Sequence, residues 1–288
     1  MLTGGHPDGM KRSSTAWLLA VALIVSACGS SGDDAGSTAK AKSTGKLDRV
    51  VKVDGDRGLY VRCTGSGSPT VFMEGGDEDT SDSYGFAEET VAKVTRTCVY
   101  DRANLGRSDA REGPLGLDEY VGDLDALFEK AKIPGPYVLV GTSGGGYISV
   151  GYAEKHPDQV AGIVLVETPP PFENPPKEIV EYTDPSNPEN VEQRDFLQVE
   201  KDAWAAKKEI GDIPVTVISN RYTKVEIAAA EFPEEKHGMR INAESQKGWL
   251  VLSPRAKQVV VTTGHAVEEK DPQLVIDQIL AVVKAAKG

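Results

Sequence analysis

Five residues, Gly141-Thr142-Ser143-Gly144-Gly145, fit the pattern G-x-S-x-G, and Ser143 is the side chain here best placed for covalent chemistry. The bare pattern arises readily by chance, so its context has to carry the reading. Tyr137-Val138-Leu139-Val140, immediately before it, reads as a buried strand, and a helical pattern with Ile148, Tyr152 and Ala153 on its inner face follows. Strand, tight turn and helix in that order lift a serine oxygen above a sheet edge. They also place it at a helix N-terminus, whose dipole favours developing negative charge. The glycines suit such a turn, because a strained serine backbone and close helix–strand packing leave no room for Cβ atoms.

A serine of ordinary acidity needs a base to become a nucleophile. The chain offers four histidines. His6 lies in what reads as a leader. His156 precedes Pro157 at the end of the helix after Ser143, far from the turn, and His237 sits in the solvated run Glu234-Glu235-Lys236-His237. His265 ends the last strand-and-loop stretch, QVVVTTGH, on the edge where open α/β sheets bind ligands. It is the candidate base by elimination and by position.

The elements that must hold these side chains are legible as an alternation. Strand-like runs at 59–63, 70–74, 97–100, 137–141, 162–167, 214–219 and 258–262 include several that are continuously apolar, as in strands buried on both faces. Between them, Leu117, Tyr120, Val121, Leu124, Leu127 and Phe128 keep helical spacing, and a last helix is expected over 272–284, opening on Pro272. Strand and helix alternating in this way predict a mainly parallel α/β sheet covered on both faces. One region breaks the rhythm. Residues 168–212 are proline-rich at first, then predict a helix over 190–210, and carry 11 acidic against 5 basic residues. An insertion of this length in a compact domain reads as a small lid over the site.

The 288 residues hold 39% hydrophobic and 26% charged side chains, an ordinary globular balance. No apolar run reaches the roughly 18–20 residues of a spanning helix. The net charge of −12 makes nucleic acid a poor partner. Three cysteines, without ligand spacing, build neither a metal site nor a disulfide scaffold. Lys11 and Arg12, the apolar run AWLLAVALIV and Ser26-Ala27-Cys28 read as a signal peptide over 1–27, with Met10 the more conventional start. Val25-Ser26-Ala27-Cys28 resembles the lipobox of bacterial lipoproteins, which implies lipid attachment at Cys28. The Gly/Ser/Ala/Asp/Lys-rich stretch 28–46 reads as a flexible tether. An exported chain places Cys63 and Cys98 where thiols usually pair, although their spacing alone does not decide it.

The body, 47–287, resembles the α/β-hydrolase superfamily, especially secreted and lipoprotein esterase-like members. The matching stretches are Gly65-Ser66-Gly67-Ser68-Pro69-Thr70-Val71, the block CVYDRANLGRSD over 98–109, the serine turn, and Gly264-His265. The resemblance implies an eight-stranded, mainly parallel sheet with helices on both faces. In that fold the second strand lies beside the fourth, which implies a Cys63–Cys98 bridge. It implies an oxyanion hole from the Gly144 amide and, in Glu74-Gly75-Gly76-Asp77, the Gly76 amide. The Tyr100-Asp101-Arg102 block implies structural loop chemistry.

The sequence departs from the family at the acid. Many relatives carry it after the seventh strand in a Gly-x-x-Asp stretch, whereas here no carboxylate follows that strand before Glu226. The sixth strand ends in Glu167, a position some hydrolases use. Glu167 is therefore the expected acid, with Glu226 in reserve. The expected activity is acyl transfer by Ser143, His265 and Glu167 on a small neutral ester or amide, the acidic insertion repelling anions. No metal or organic cofactor is implied, a monomer is expected, and serine in the turn argues against an Asp-nucleophile dehalogenase or epoxide hydrolase. The rival reading, from another class, is a surface lipoprotein that keeps this fold as a binding or scaffold module.

Overall fold

A computed structural model describes residues 45–288. The expected leader 1–27, Cys28 and nearly all of the tether 28–46 lie outside the described residues. Eight strands, β1 (Leu47–Asp54), β2 (Arg57–Thr64), β3 (Thr70–Glu74), β4 (Thr97–Tyr100), β5 (Tyr137–Thr142), β6 (Val160–Val166), β7 (Val215–Asn220) and β8 (Ala256–Val261), form one sheet. Their order is β1-β2-β4-β3-β5-β6-β7-β8. Only the β1–β2 and β2–β4 pairs are antiparallel. Every residue of β3, β5 and β7 is buried, which is why Val71-Phe72-Met73 and Val138-Leu139-Val140 read as continuous apolar runs and β7 keeps Val215, Val217 and Ile218 with only small polar residues between and after them.

Among the described residues, nine α-helices flank the strands: α1 (Gly85–Ala92), α2 (Leu117–Ala131), α3 (Gly144–Lys155), α4 (Lys177–Tyr182), α5 (Phe196–Ala206), α6 (Lys224–Ala229), α7 (Pro233–Ser245), α8 (Val267–Lys270) and α9 (Pro272–Lys287). On one face α2, α3 and α5 close a core around Phe72, Leu139, Tyr152 and Trp249. On the other, α1 and α9 pack Val91, Val275, Ile279 and Val283 on Val71, Val138 and Val164. The apolar stripe of α2 buries Tyr120, Val121, Leu124, Leu127 and Phe128, as its spacing predicts. Phe128 packs on Tyr137 and Phe72 at 4.3 and 4.6 Å between ring centres.

Two elements differ from expectation. β1 was not legible, because Asp48, Arg49, Lys52 and Asp54 break its apolar pattern and only Val51 and Val53 face the core. Within the insertion the helix is α5, shorter than the predicted 190–210. Asn190 Nδ2 instead donates to the carbonyls of Thr183, Asp184 and Arg194, holding the preceding segment in turns. The helix starts only where Asp195 accepts from the Gln198 amide.

Cys63 and Cys98 face each other across β2 and β4, fully buried, and a disulfide joins them. The link closes a sequence separation of 35, which by chain entropy is worth about 4 kcal/mol. Cys63→Ala/Cys98→Ala is expected to lose stability of that order in equilibrium denaturant unfolding. An unchanged midpoint would show that the bridge does not constrain the unfolded chain.

Candidate active site

Ser143 sits between β5 and α3 with φ 47° and ψ −119°, a left-handed conformation that costs a non-glycine residue roughly 1–3 kcal/mol. The surroundings enforce it. The Ser143 amide donates to Val166 O at 2.8 Å, and the Gly146 amide donates to Ser143 O at 2.9 Å. A Cβ on Gly141 would lie 2.5 Å from Gly146 Cα, and one on Gly145 would meet the carbonyls of Glu74 and Gly75. Both glycines are therefore required by the close approach of the helix start to β3 and β5.

His265 leaves β8 on a loop turned by Gly264 at φ +95°, whose amide donates to Asn220 Oδ1 at 3.0 Å. That anchor delivers the half-exposed imidazole to the serine, with Nε2 3.1 Å from Ser143 Oγ. On the far side Nδ1 lies 3.3 Å from Oε2 of Glu167, a carboxylate only 1% exposed. With the carboxylate as acceptor, Nδ1 carries the hydrogen and Nε2 is left free to accept from the serine hydroxyl. The hydrogen bond to Glu167 raises the His265 pKa, opposed by burial and aided by the charges of Glu167, Glu268 and Asp77.

Glu167 is held hard. It follows β6 at φ 47°, and it accepts from the Asn220 amide, from Asn242 Nδ2 at 3.1–3.2 Å, from Gln246 Nε2 at 2.9 Å and from Tyr222 Oη at 3.5 Å. The reserve candidate, Glu226, is used elsewhere. It caps α6, accepting from the Thr223 amide and hydroxyl, and those bonds hold its carboxyl below the usual range. His156 pairs with Asp125 at the end of α3, His237 is exposed on α7, and His6 lies outside the described residues.

Three side chains, from the ends of β5 and β6 and the loop after β8, are thus joined in succession. A family model described as alpha/beta hydrolase fold matches residues 71–267. The chain belongs to the α/β-hydrolase fold family. YqjL of Bacillus subtilis, an uncharacterized protein, is 21% identical over 233 residues, covering 80% of this chain and 89% of its own. An uncharacterized protein of Schizosaccharomyces pombe is 29% identical over 137 residues, 38% of this chain, which spans only 26% of that protein. Among solved structures, a thermophilic esterase from Thermogutta terrifontis is similar with a TM-score of 0.62 at 18% identity, over 85% of this chain and 100% of that one. An enol-lactonase from Burkholderia xenovorans gives 0.64 at 15%, over 81% and 99%.

In this α/β-hydrolase the two expected oxyanion donors flank Ser143. Gly144 opens α3, and a Cβ built on Gly76 would lie 3.8 Å from Ser143 Cβ. The Gly76 amide is already engaged, donating to Asp79 Oδ2 at 2.9 Å. Beneath the loop lies a buried ionic cluster. Arg102 donates to Glu192 at 2.8 and 3.0 Å, to Gly75 O at 2.8 Å, to Gly76 O at 2.5 Å and to Glu74 at 3.3 Å. Tyr100 Oη donates to Glu74 at 2.7 Å, and Arg194 donates to Asp77 at 2.7 Å and to Gly144 O at 3.0 Å.

One guanidinium here serves two carboxylates unequally. Burial pushes Glu192 up, but its two short bonds to Arg102 win and hold it down to about 2. Burial dominates at Glu74, whose contact with Arg102 is longer, and pushes it up to about 7. A carboxyl whose folded pKa is raised stabilises the fold at low pH, and that contribution is lost as pH rises toward the folded value. Glu74→Gln should therefore gain stability relative to the parent between pH 5 and 8. Melting temperatures across that range check it; a constant difference between the two proteins would refute the assignment.

The sequence reading missed Asn220, Tyr222, Asn242 and Gln246 around Glu167, and Asp79 on the Gly76 amide. Neutral amides scattered over helices and loops leave no periodic mark. Arg102 was signalled, by the Tyr-Asp-Arg block. Its buried partner Glu192 was hidden in an acidic stretch that reads as a small lid, in which nothing distinguishes one carboxylate from the next.

Proposed function

We propose that the protein is a serine hydrolase of the carboxylesterase kind, acting on a small neutral ester or amide through an acyl-enzyme. The observation that carries this reading is the continuous chain from Ser143 Oγ through His265 to Glu167. Ser143 Oγ attacks the carbonyl carbon while His265 Nε2 takes its proton, and Glu167 keeps the imidazole in the required tautomer and stabilises its charged form. The tetrahedral oxyanion is received by the Gly144 amide and by the Gly76 amide, from which it displaces the Asp79 carboxylate. His265 returns the proton to the departing alcohol or amine. Water, deprotonated by the same imidazole, then releases the acid. The esterase and lactonase names of the similar structures support ester chemistry. Lipid attachment at Cys28 would hold this domain, as a monomer, at the outer face of the bacterial membrane; two or more acyl chains would make that hold stable.

A non-catalytic surface module is the other reading, and one observation favours it: the chain's own Asp79 fills the Gly76 donor. A fluorophosphonate probe separates the two. Stoichiometric labelling of the leaderless protein, lost in Ser143→Ala, is expected. Absence of labelling would leave the scaffold.

A further inference from the structure

The insertion supplies more than cover. Glu192 and Arg194, both fully buried, come from its turn segment and reach the backbone around Ser143, Glu192 at the Glu78 amide and Arg194 at Gly144 O. Glu192 holds Arg102 by two bonds and accepts from the Glu78 amide at 2.6 Å and from Tyr120 Oη at 3.0 Å. Arg102 in turn donates to Gly75 O. That carbonyl belongs to the same peptide unit as the Gly76 N–H. Donation to a peptide's oxygen fixes its plane and polarises its N–H, so the hydrogen on the opposite side becomes a stronger donor. Its second bond, to Gly76 O, fixes the next peptide as well.

An anionic oxygen already sits where a strong donor would hold one. Asp79 Oδ2 lies 2.9 Å from the Gly76 nitrogen, within the 2.7–3.1 Å expected between an oxyanion and its donor. The amide, next to Ser143, thus donates to a carboxylate oxygen and is backed by a guanidinium on its carbonyl.

We infer that Arg102, set by Glu192 of the insertion, is the positioning residue of the Gly76 oxyanion donor. The inference deepens the serine-hydrolase reading and rests on it for its kinetic consequence. It assigns the insertion a role in transition-state stabilisation, through Glu192, Arg102 and the Gly75–Gly76 peptide.

The test uses the leaderless protein with Glu192→Gln, which keeps the shape of the side chain and removes its charge, and Arg102→Lys, which keeps the charge and loses the fork. Two readouts are taken on each variant whose near-ultraviolet circular dichroism matches the parent. The first is the amide proton of Gly76 by NMR, expected to move upfield in both variants as its peptide loses polarisation. The second is p-nitrophenyl acetate hydrolysis, with kcat expected to fall about 10- to 100-fold in Glu192→Gln at nearly constant KM. The inhibition constant of a trifluoromethyl ketone, which mimics the tetrahedral state, should rise in step. An unmoved Gly76 resonance, or unchanged kcat and inhibitor affinity in a labelling-competent Glu192→Gln, overturns the inference. Should the parent itself neither label nor hydrolyse, the hydrolase reading falls, and the Gly76 resonance still decides whether Arg102 polarises that peptide.

Discussion

Ser143→Ala and His265→Ala are each expected to lower ester turnover on the order of 10⁴- to 10⁶-fold while leaving the fold intact. The reason is unit action. Without the hydroxyl there is no acyl-enzyme, and without the imidazole the hydroxyl keeps its proton, because Nε2 at 3.1 Å is the base that meets it. The double variant should be no worse than either single one, since the second deletion removes a group that already has nothing to act with. What survives is the contribution of the Gly76 and Gly144 amides. Steady-state kinetics with p-nitrophenyl acetate and probe labelling check this together. A His265→Ala protein retaining a tenth of parental turnover would show that some other group accepts the serine proton.

Glu167→Gln should cost about 10⁴ in kcat. The amide can offer an N–H to Nδ1, which selects the tautomer with the hydrogen on Nε2, where it faces the serine as a donor. The buried neighbours sharpen the effect. The Asn220 amide, Asn242 Nδ2 and Gln246 Nε2 all donate to Oε1, the oxygen away from the histidine, so the introduced amide keeps its oxygen there and turns its NH₂ toward Nδ1. The pH dependence gives a second handle. Glu167 raises the His265 pKa above its ordinary 6.5, so the protonated, inactive imidazole persists to higher pH than in a free histidine. The acid limb of kcat/KM is expected to have its midpoint above 6.5 in the parent. In Glu167→Gln that midpoint should move down, since the charge is gone and an N–H facing Nδ1 cannot accept from the protonated imidazole. A limb that stays in place would mean that another residue governs it.

Much of this architecture is legible in the sequence because it follows from local rules. The apolar runs of β3, β5 and β7 are dictated by burial on both faces, the stripe of α2 by its spacing, and the serine turn by glycines that the structure shows to be sterically required. His265 could be reached by elimination, since four histidines leave few choices. The acid was harder. Glu167 and Glu226 both follow strands at the correct edge, and only the fold reveals that Thr223 occupies one and His265 the other. Least legible were interactions between residues far apart in the chain. Glu192 and Arg102 stand 90 positions apart, and Gln246 and Glu167 stand 79 apart. No periodicity records a pairing of that kind, and a charged residue in a polar stretch looks solvated until its partner is seen.

The burial of Glu192 and Arg194 also restricts how material can enter and leave. Swinging the whole 168–212 segment aside, like a door on its posts, would strip two ionised groups of partners they have nowhere else to find. Breaking such a buried pair costs roughly 3–5 kcal/mol. Within the segment α4 has no buried residue, and its tie to the rest of the protein is the exposed bond from Tyr182 Oη to Glu78, so it can shift without touching those pairs. A displacement confined to that short stretch would leave the frame behind it shut.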